Sequence, residues 1–91
     1  MEQYLVIIEK GGTNYSAYSP DVLGCVATGE TVEETLQRMK EALELHVEGI
    51  IEDGDELPQA KGLKYYLSQE EPVAEPGDLI THIEVRLPAA A

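Results

Sequence analysis

From Gln3 to Lys10 the chain reads Gln-Tyr-Leu-Val-Ile-Ile-Glu-Lys, with apolar residues unbroken from Tyr4 to Ile8. A β-branched run without alternation suits a strand covered on both faces in the middle of a sheet. Gly11-Gly12-Thr13-Asn14 follows and supplies the positive-φ positions of a hairpin turn. A second strand is predicted over 14–19, with Tyr15, Ala17 and Ser19 on one face and Ser16 and Tyr18 on the other. Pro20-Asp21 breaks it, because proline cannot donate to a ladder. A third short strand over 25–28 ends at Gly29.

The period then changes. Val32, Leu36, Met39, Leu43, Val47 and Ile50 recur at three- or four-residue spacing and gather on one side of a helix. His46 lies at one margin of that stripe, while Glu33, Glu34, Glu41, Glu44, Glu48 and Glu52 hold the opposite face. Thr31 and Glu34 make a capping box at its start. The predicted helix runs over 32–52, roughly 30 Å at 1.5 Å per residue, and Asp53-Gly54 closes it. Between 53 and 78 no period survives, and prolines at 58, 72 and 76 with glycines at 62 and 77 predict an irregular excursion. Within it, Gly62 to Leu67 fits either a short strand or a single helical turn. A last strand is expected over 79–87, stopped by Pro88, with Ala89-Ala90-Ala91 frayed.

The order β-β-β-α-β predicts an α+β fold. One long amphipathic helix would lie across a mainly antiparallel sheet as a two-layer sandwich, spanning 1–91 as a single domain. The fourth strand must return across the helix, which puts it beside the first.

Charge narrows the function classes. Eighteen acidic residues against six basic ones give a net charge of −12. That field repels phosphate backbones and anionic membranes and speeds encounters with cationic partners. The basic residues Lys10, Arg38, Lys40, Lys61, Lys64 and Arg86 are scattered, whereas nucleic-acid binding needs them clustered. No apolar run approaches the ~20 residues of a membrane span. The start lacks a signal-peptide pattern, and the single cysteine excludes an internal disulfide. A cytoplasmic protein is expected.

Candidate chemistry is sparse. Glu9, Asp21 and Glu84 are the carboxylates a two-metal nuclease would need, but nothing in their spacing brings them together. Asp21 reads as a turn residue bonded to its own backbone. Asp53-Gly54-Asp55-Glu56 lacks the alternating ligands of a calcium loop and reads as a solvated helix exit. His46 and His82 have no helical partner histidine, so the first reads as a core-margin residue and the second as a sheet-face residue. Cys25 reads as a small buried hydrophobe. No catalytic residue, metal site or cofactor is expected. On the helix flank next to Arg38, Ala42, Leu45 and Gly49 lie together beyond the apolar stripe. Small residues around one leucine suit close approach by another backbone, and so self-association into a homo-oligomer.

The run Tyr15-Ser-Ala-Tyr18, Pro20-Asp21, Gly24-Cys25-Val-Ala-Thr-Gly29-Glu-Thr31 resembles the core segment of HicB-type antitoxins. The helix stretch Met39 to Gly49 and the terminal Ile83-Glu-Val-Arg-Leu-Pro88 match as well. The resemblance implies a partial ribonuclease H-like fold and a non-enzymatic protein that acts by binding. Its implied partner is a small basic HicA-type toxin, an mRNA-cleaving protein of double-stranded-RNA-binding-like fold. Glu41, Glu44 and Glu48 would then steer the toxin. The chain departs from the pattern at Asp21-Val22-Leu23-Gly24-Cys25, which lacks a second proline. It also ends directly after the last predicted strand, where antitoxins of this type usually carry a DNA-binding domain, so no direct nucleic-acid contact is expected. The competing reading is a stand-alone oligomeric ligand-binding or regulatory module without a toxin. A metal-dependent nuclease is the third.

Overall fold

A computed structural model describes residues 2–86. The order of elements is β1 (Glu2–Lys10), β2 (Tyr15–Tyr18), β3 (Val26–Gly29), α1 (Val32–Glu52), α2 (Leu63–Leu67) and β4 (Leu79–Val85). The strands form one antiparallel sheet in the order β3-β2-β1-β4, so β4 does return beside β1. This is the α+β two-layer arrangement that the periodicities predict. The expected end of the last strand at Leu87, the stop at Pro88 and the fraying of Ala89–Ala91 fall outside the described residues.

β1 is covered on both faces, as its unbroken apolar run requires. Tyr4, Val6 and Ile8 join the cluster under α1, with Ala17, Cys25, Met39, Leu43, Val47, Ile83 and Val85. Leu5 and Ile7 point the other way and are equally buried. The helix contributes Thr35, Met39, Leu43 and Val47, a strict i, i+4 row, while Val32, Leu36 and Ile50 are only half-buried. A threonine enters that row because its hydroxyl donates to the Thr31 carbonyl at 2.7 Å. Gly29 lets the first turn of α1 approach: a Cβ there would sit 2.6 Å from Thr35 Oγ1 and 2.8 Å from its amide nitrogen. The cap forms with Thr31 Oγ1 accepting from the Glu34 amide at 3.0 Å. The Glu34 carboxylate reaches back to the Glu30 amide, one residue before the capping position a full box would use.

The excursion proves ordered. Leu57 and Ala60 pack against the helix-side core, and the chain then turns round the end of the sheet. Of the two conformations open for Gly62 to Leu67, the helical turn forms, as α2, with Gly62 at a φ of 84° before it. From there the segment folds over the face opposite α1 as a strap. Phenols fasten the excursion at both stages: on the helix side Tyr4 donates to the Pro58 carbonyl at 3.0 Å, and on the opposite face Tyr18 donates to the Val73 carbonyl at 2.7 Å.

Asp21 corrects the reading of a simple turn residue. It is buried, and its carboxylate accepts nothing from its own turn. Oδ2 takes the Leu5 amide at 2.9 Å, and Oδ1 takes the Lys61 amide at 3.2 Å and the Tyr66 hydroxyl. β2 has already ended at Tyr18, opposite Ile7, so the carboxylate takes the place of a missing strand at Leu5. Ser19 Oγ in turn accepts from the Asp21 amide at 3.2 Å.

Two measurements check this arrangement. Asp21→Ala strands a buried amide and should lower unfolding free energy by about 2 kcal/mol in urea titrations, whereas Tyr66→Phe should cost about 1 kcal/mol. Equal losses would mean that Leu5 does not depend on the carboxylate. The second is alkaline. Burial pushes the phenols of Tyr4, Tyr18 and Tyr66 above their ordinary 10.0, aided at Tyr4 by Glu2, at Tyr18 by Glu9 and at Tyr66 by the bond to Asp21. A raised folded value means the stabilisation is complete below the unfolded value and fades as pH rises past it. The urea midpoint should fall as pH climbs above 10, less steeply in Tyr66→Phe; a parallel fall in both proteins would contradict the assignment.

Candidate partner-binding site

The outer face of α1 carries the acidic row. Glu41, Glu44 and Glu48 stand at i, i+3 and i+7, one above another on the same side of the helix. Glu41 and Glu48 are exposed and Glu44 is half-buried. Leu45 lies beside this row, one turn from both Glu41 and Glu48, and is 69% exposed. A large apolar side chain in that position is left mostly uncovered by its own chain.

Leu45 has apolar company that its sequence neighbours do not reveal. Ala42, Leu45 and His46 line one wall of a groove of about 390 Å³ whose other wall is Gly24, Cys25 and Val26. Val26 is 66% exposed and Leu23, just before Gly24, 82%. The turn at Gly24, with φ 85°, sends Val22 into the core and leaves Leu23 outside. Cys25, just before β3, points under α1, so Val26 follows on the face away from the helix, opposite Tyr18, and lines the groove from the strand edge; this alternation was the available sequence signal for it. Gly49 is half-buried with open space where a Cβ would stand, and it does not line the groove. The helix is held against this edge by Arg38, which donates to the Thr28 carbonyl at 3.0 Å and lies 3.4 Å from Glu34.

The remaining candidates stand apart. Glu9 and Glu84 are exposed on strands, while Asp21 is engaged by its three donors. Among the described residues, no three His, Cys, Asp or Glu side chains come together as a metal site. His46 is exposed on the groove rather than at a core margin, and His82 is exposed on β4 opposite Leu5. Cys25 is buried, and burial pushes its thiol up, away from the reactive thiolate. No helix of the described residues is long and apolar enough to cross a membrane. What the face offers is a shallow groove at the β3 edge with the exposed Leu45 on its helix wall and the acidic row of α1 beyond it.

Comparison with known proteins bears on what binds there. A family profile described as the HicB_like antitoxin of bacterial toxin–antitoxin systems matches residues 4–85. An uncharacterized 14.9 kDa protein of Haemophilus phage HP1 is 40% identical over 68 residues, or 75% of this chain. The chain spans only about half of that relative's length, 51%. A UPF0150 protein of Synechocystis is 39% identical over 59 residues, covering 62% of this chain and 72% of the relative. Among solved structures, the N-terminal domain of the Burkholderia pseudomallei antitoxin HicB superposes with a TM-score of 0.78 at 24% identity, over 93% of this chain and 99% of that one. The HicB chain of a HicA3 and HicB3 toxin–antitoxin complex matches at a TM-score of 0.69 and 26% identity, over 93% and 99%. The profile spans nearly the whole chain and the fold is that of the solved HicB domains, so the chain belongs to the HicB-like antitoxin family of bacterial toxin–antitoxin systems.

Proposed function

We propose that this chain is an antitoxin that binds and neutralises a small basic HicA-type toxin in the cytoplasm, without catalysis or cofactor of its own. The observation that carries the reading is the exposed Leu45, on the groove at the β3 edge and one turn from Glu41 and Glu48 on the outer face of α1, on a chain of net charge −12. A toxin that grips RNA presents a cationic face. Carboxylates fixed along α1 stand in for phosphates, and the apolar groove gives such a partner a desolvated anchor. Of Ala42, Leu45 and Gly49, expected from the sequence to serve self-association, Ala42 and Leu45 line the groove and are assigned here to the toxin-facing surface, while Gly49 lies off it. Two copies meeting there would bring their acidic rows together.

The steering and anchoring parts separate kinetically. With a HicA-type toxin immobilised, reversing Glu41, Glu44 and Glu48 to Lys should slow association about tenfold and flatten its salt dependence. Leu45→Glu should leave the association rate nearly intact and speed dissociation about thirtyfold. Unchanged rates in both proteins, or recovery of this chain alone from its host at any salt, would shift the reading to the stand-alone oligomeric module.

A further inference from the structure

The sheet has two free edges of unequal character. β3 is a four-residue strand closed by Gly29 and crowded by α1. β4 runs seven residues, pairs on one side with β1 from Glu2 to Ile8 and, among the described residues, has no strand on the other. An edge of that length is a template for another strand unless proline, lysine or a bulge blunts it. Leu79 to Val85 contains none of the first two, and its register with β1 is unbroken. It is also charge-balanced on an otherwise acidic chain, with Glu84 followed by Arg86 and preceded by His82.

We propose that β4 pairs with β4 of a second copy, antiparallel and centred on Ile83, extending the sheet across a two-fold axis. A two-fold perpendicular to the sheet sets each residue opposite one of the same face, so the centre must fall on a residue. Centred on Ile83, the register sets His82 opposite the second copy's Glu84, and Glu84 opposite its His82. Thr81 then meets Val85, and Ile80 meets Arg86. Exposed Ile80 and the aliphatic stem of Arg86 cover one another. No like charges face each other. A centre one residue earlier would oppose the two His82 rings and leave Glu84 against Ile80. Beside the edge, a groove of about 430 Å³ between α1 and β4, lined by Leu36, Lys40, Thr81 and Ile83, becomes half of a wider trough running across the axis. This edge is the one across the sheet from the β3 edge and the groove at Leu45, so the pairing leaves the toxin-facing groove open and does not depend on that assignment.

Sedimentation equilibrium of the purified chain, without any toxin, tests the register. The wild type should be a dimer. His82→Glu sets carboxylate against carboxylate at two symmetry-related places and should weaken the dimer about tenfold or more, with helical content unchanged by circular dichroism. The double variant His82→Glu with Glu84→Lys restores opposite charges in this register alone and should recover most of the loss. A wild-type monomer, a dimer indifferent to His82→Glu, a double variant no tighter than the single, or a dimer lost through Leu45→Glu would each overturn the proposal.

Discussion

The carboxylate of Asp21 is the contact on which the arrangement turns. β2 is too short to accompany β1 along its length, and at Leu5 the sheet would expose an unpaired amide inside the protein. Asp21 supplies the acceptor there with one oxygen and uses the other to receive the Lys61 amide and the Tyr66 hydroxyl. One side chain thus completes a strand pairing and anchors a segment 40 and more residues away. Because a buried charge without partners is far more costly than a bonded one, the three donors come as a set with the turn that carries the acid.

That anchor divides the molecule's labour. The strap seals Leu5 and Ile7 on one face, and α1 seals Tyr4, Val6 and Ile8 on the other. With both faces of β1 covered, the surfaces left for partners are the outer sides of α1 and of the strap and the rims of the sheet. The β3 rim gathers the exposed leucines and valine beside carboxylates, whereas the β4 rim offers bare backbone with few charges. Surfaces that differ this much in chemistry favour different occupants.

Much of this was legible in the chain. An unbroken apolar run and two short strands set off by turns, then period 3.6, then period two pointed to the β-β-β-α-β order, and the helix bounds at Val32 and Glu52 coincide with the capping signals. The family was legible in the run from Tyr15 to Thr31. The strap was not, because it has no periodicity: it is ordered by hydrogen bonds from Tyr4, Tyr18 and Tyr66 that span some 45 to 55 positions. Asp21 was misread for the same reason, since Pro-Asp is a sufficient turn signal and hides the long-range role. Leu45 stood out by helix geometry, but its meeting with Val26 depends on how α1 crosses β3, which no local pattern encodes.

The strap's fastenings have an evolutionary side. Tyr4 and Tyr18 grip carbonyl oxygens, those of Pro58 and Val73, and the Lys61 contact to Asp21 is made by its backbone amide. Backbone carbonyls belong to every residue type and backbone amides to all but proline. The selective constraint therefore rests on the tyrosines and the aspartate, while the residues they hold are free to drift in identity so long as the path of the chain survives. Across descendants of such a protein, residues 58–78 can diversify on their outward side while the sheet beneath stays the same, giving the lineage a surface on which new specificities arise without refolding the domain.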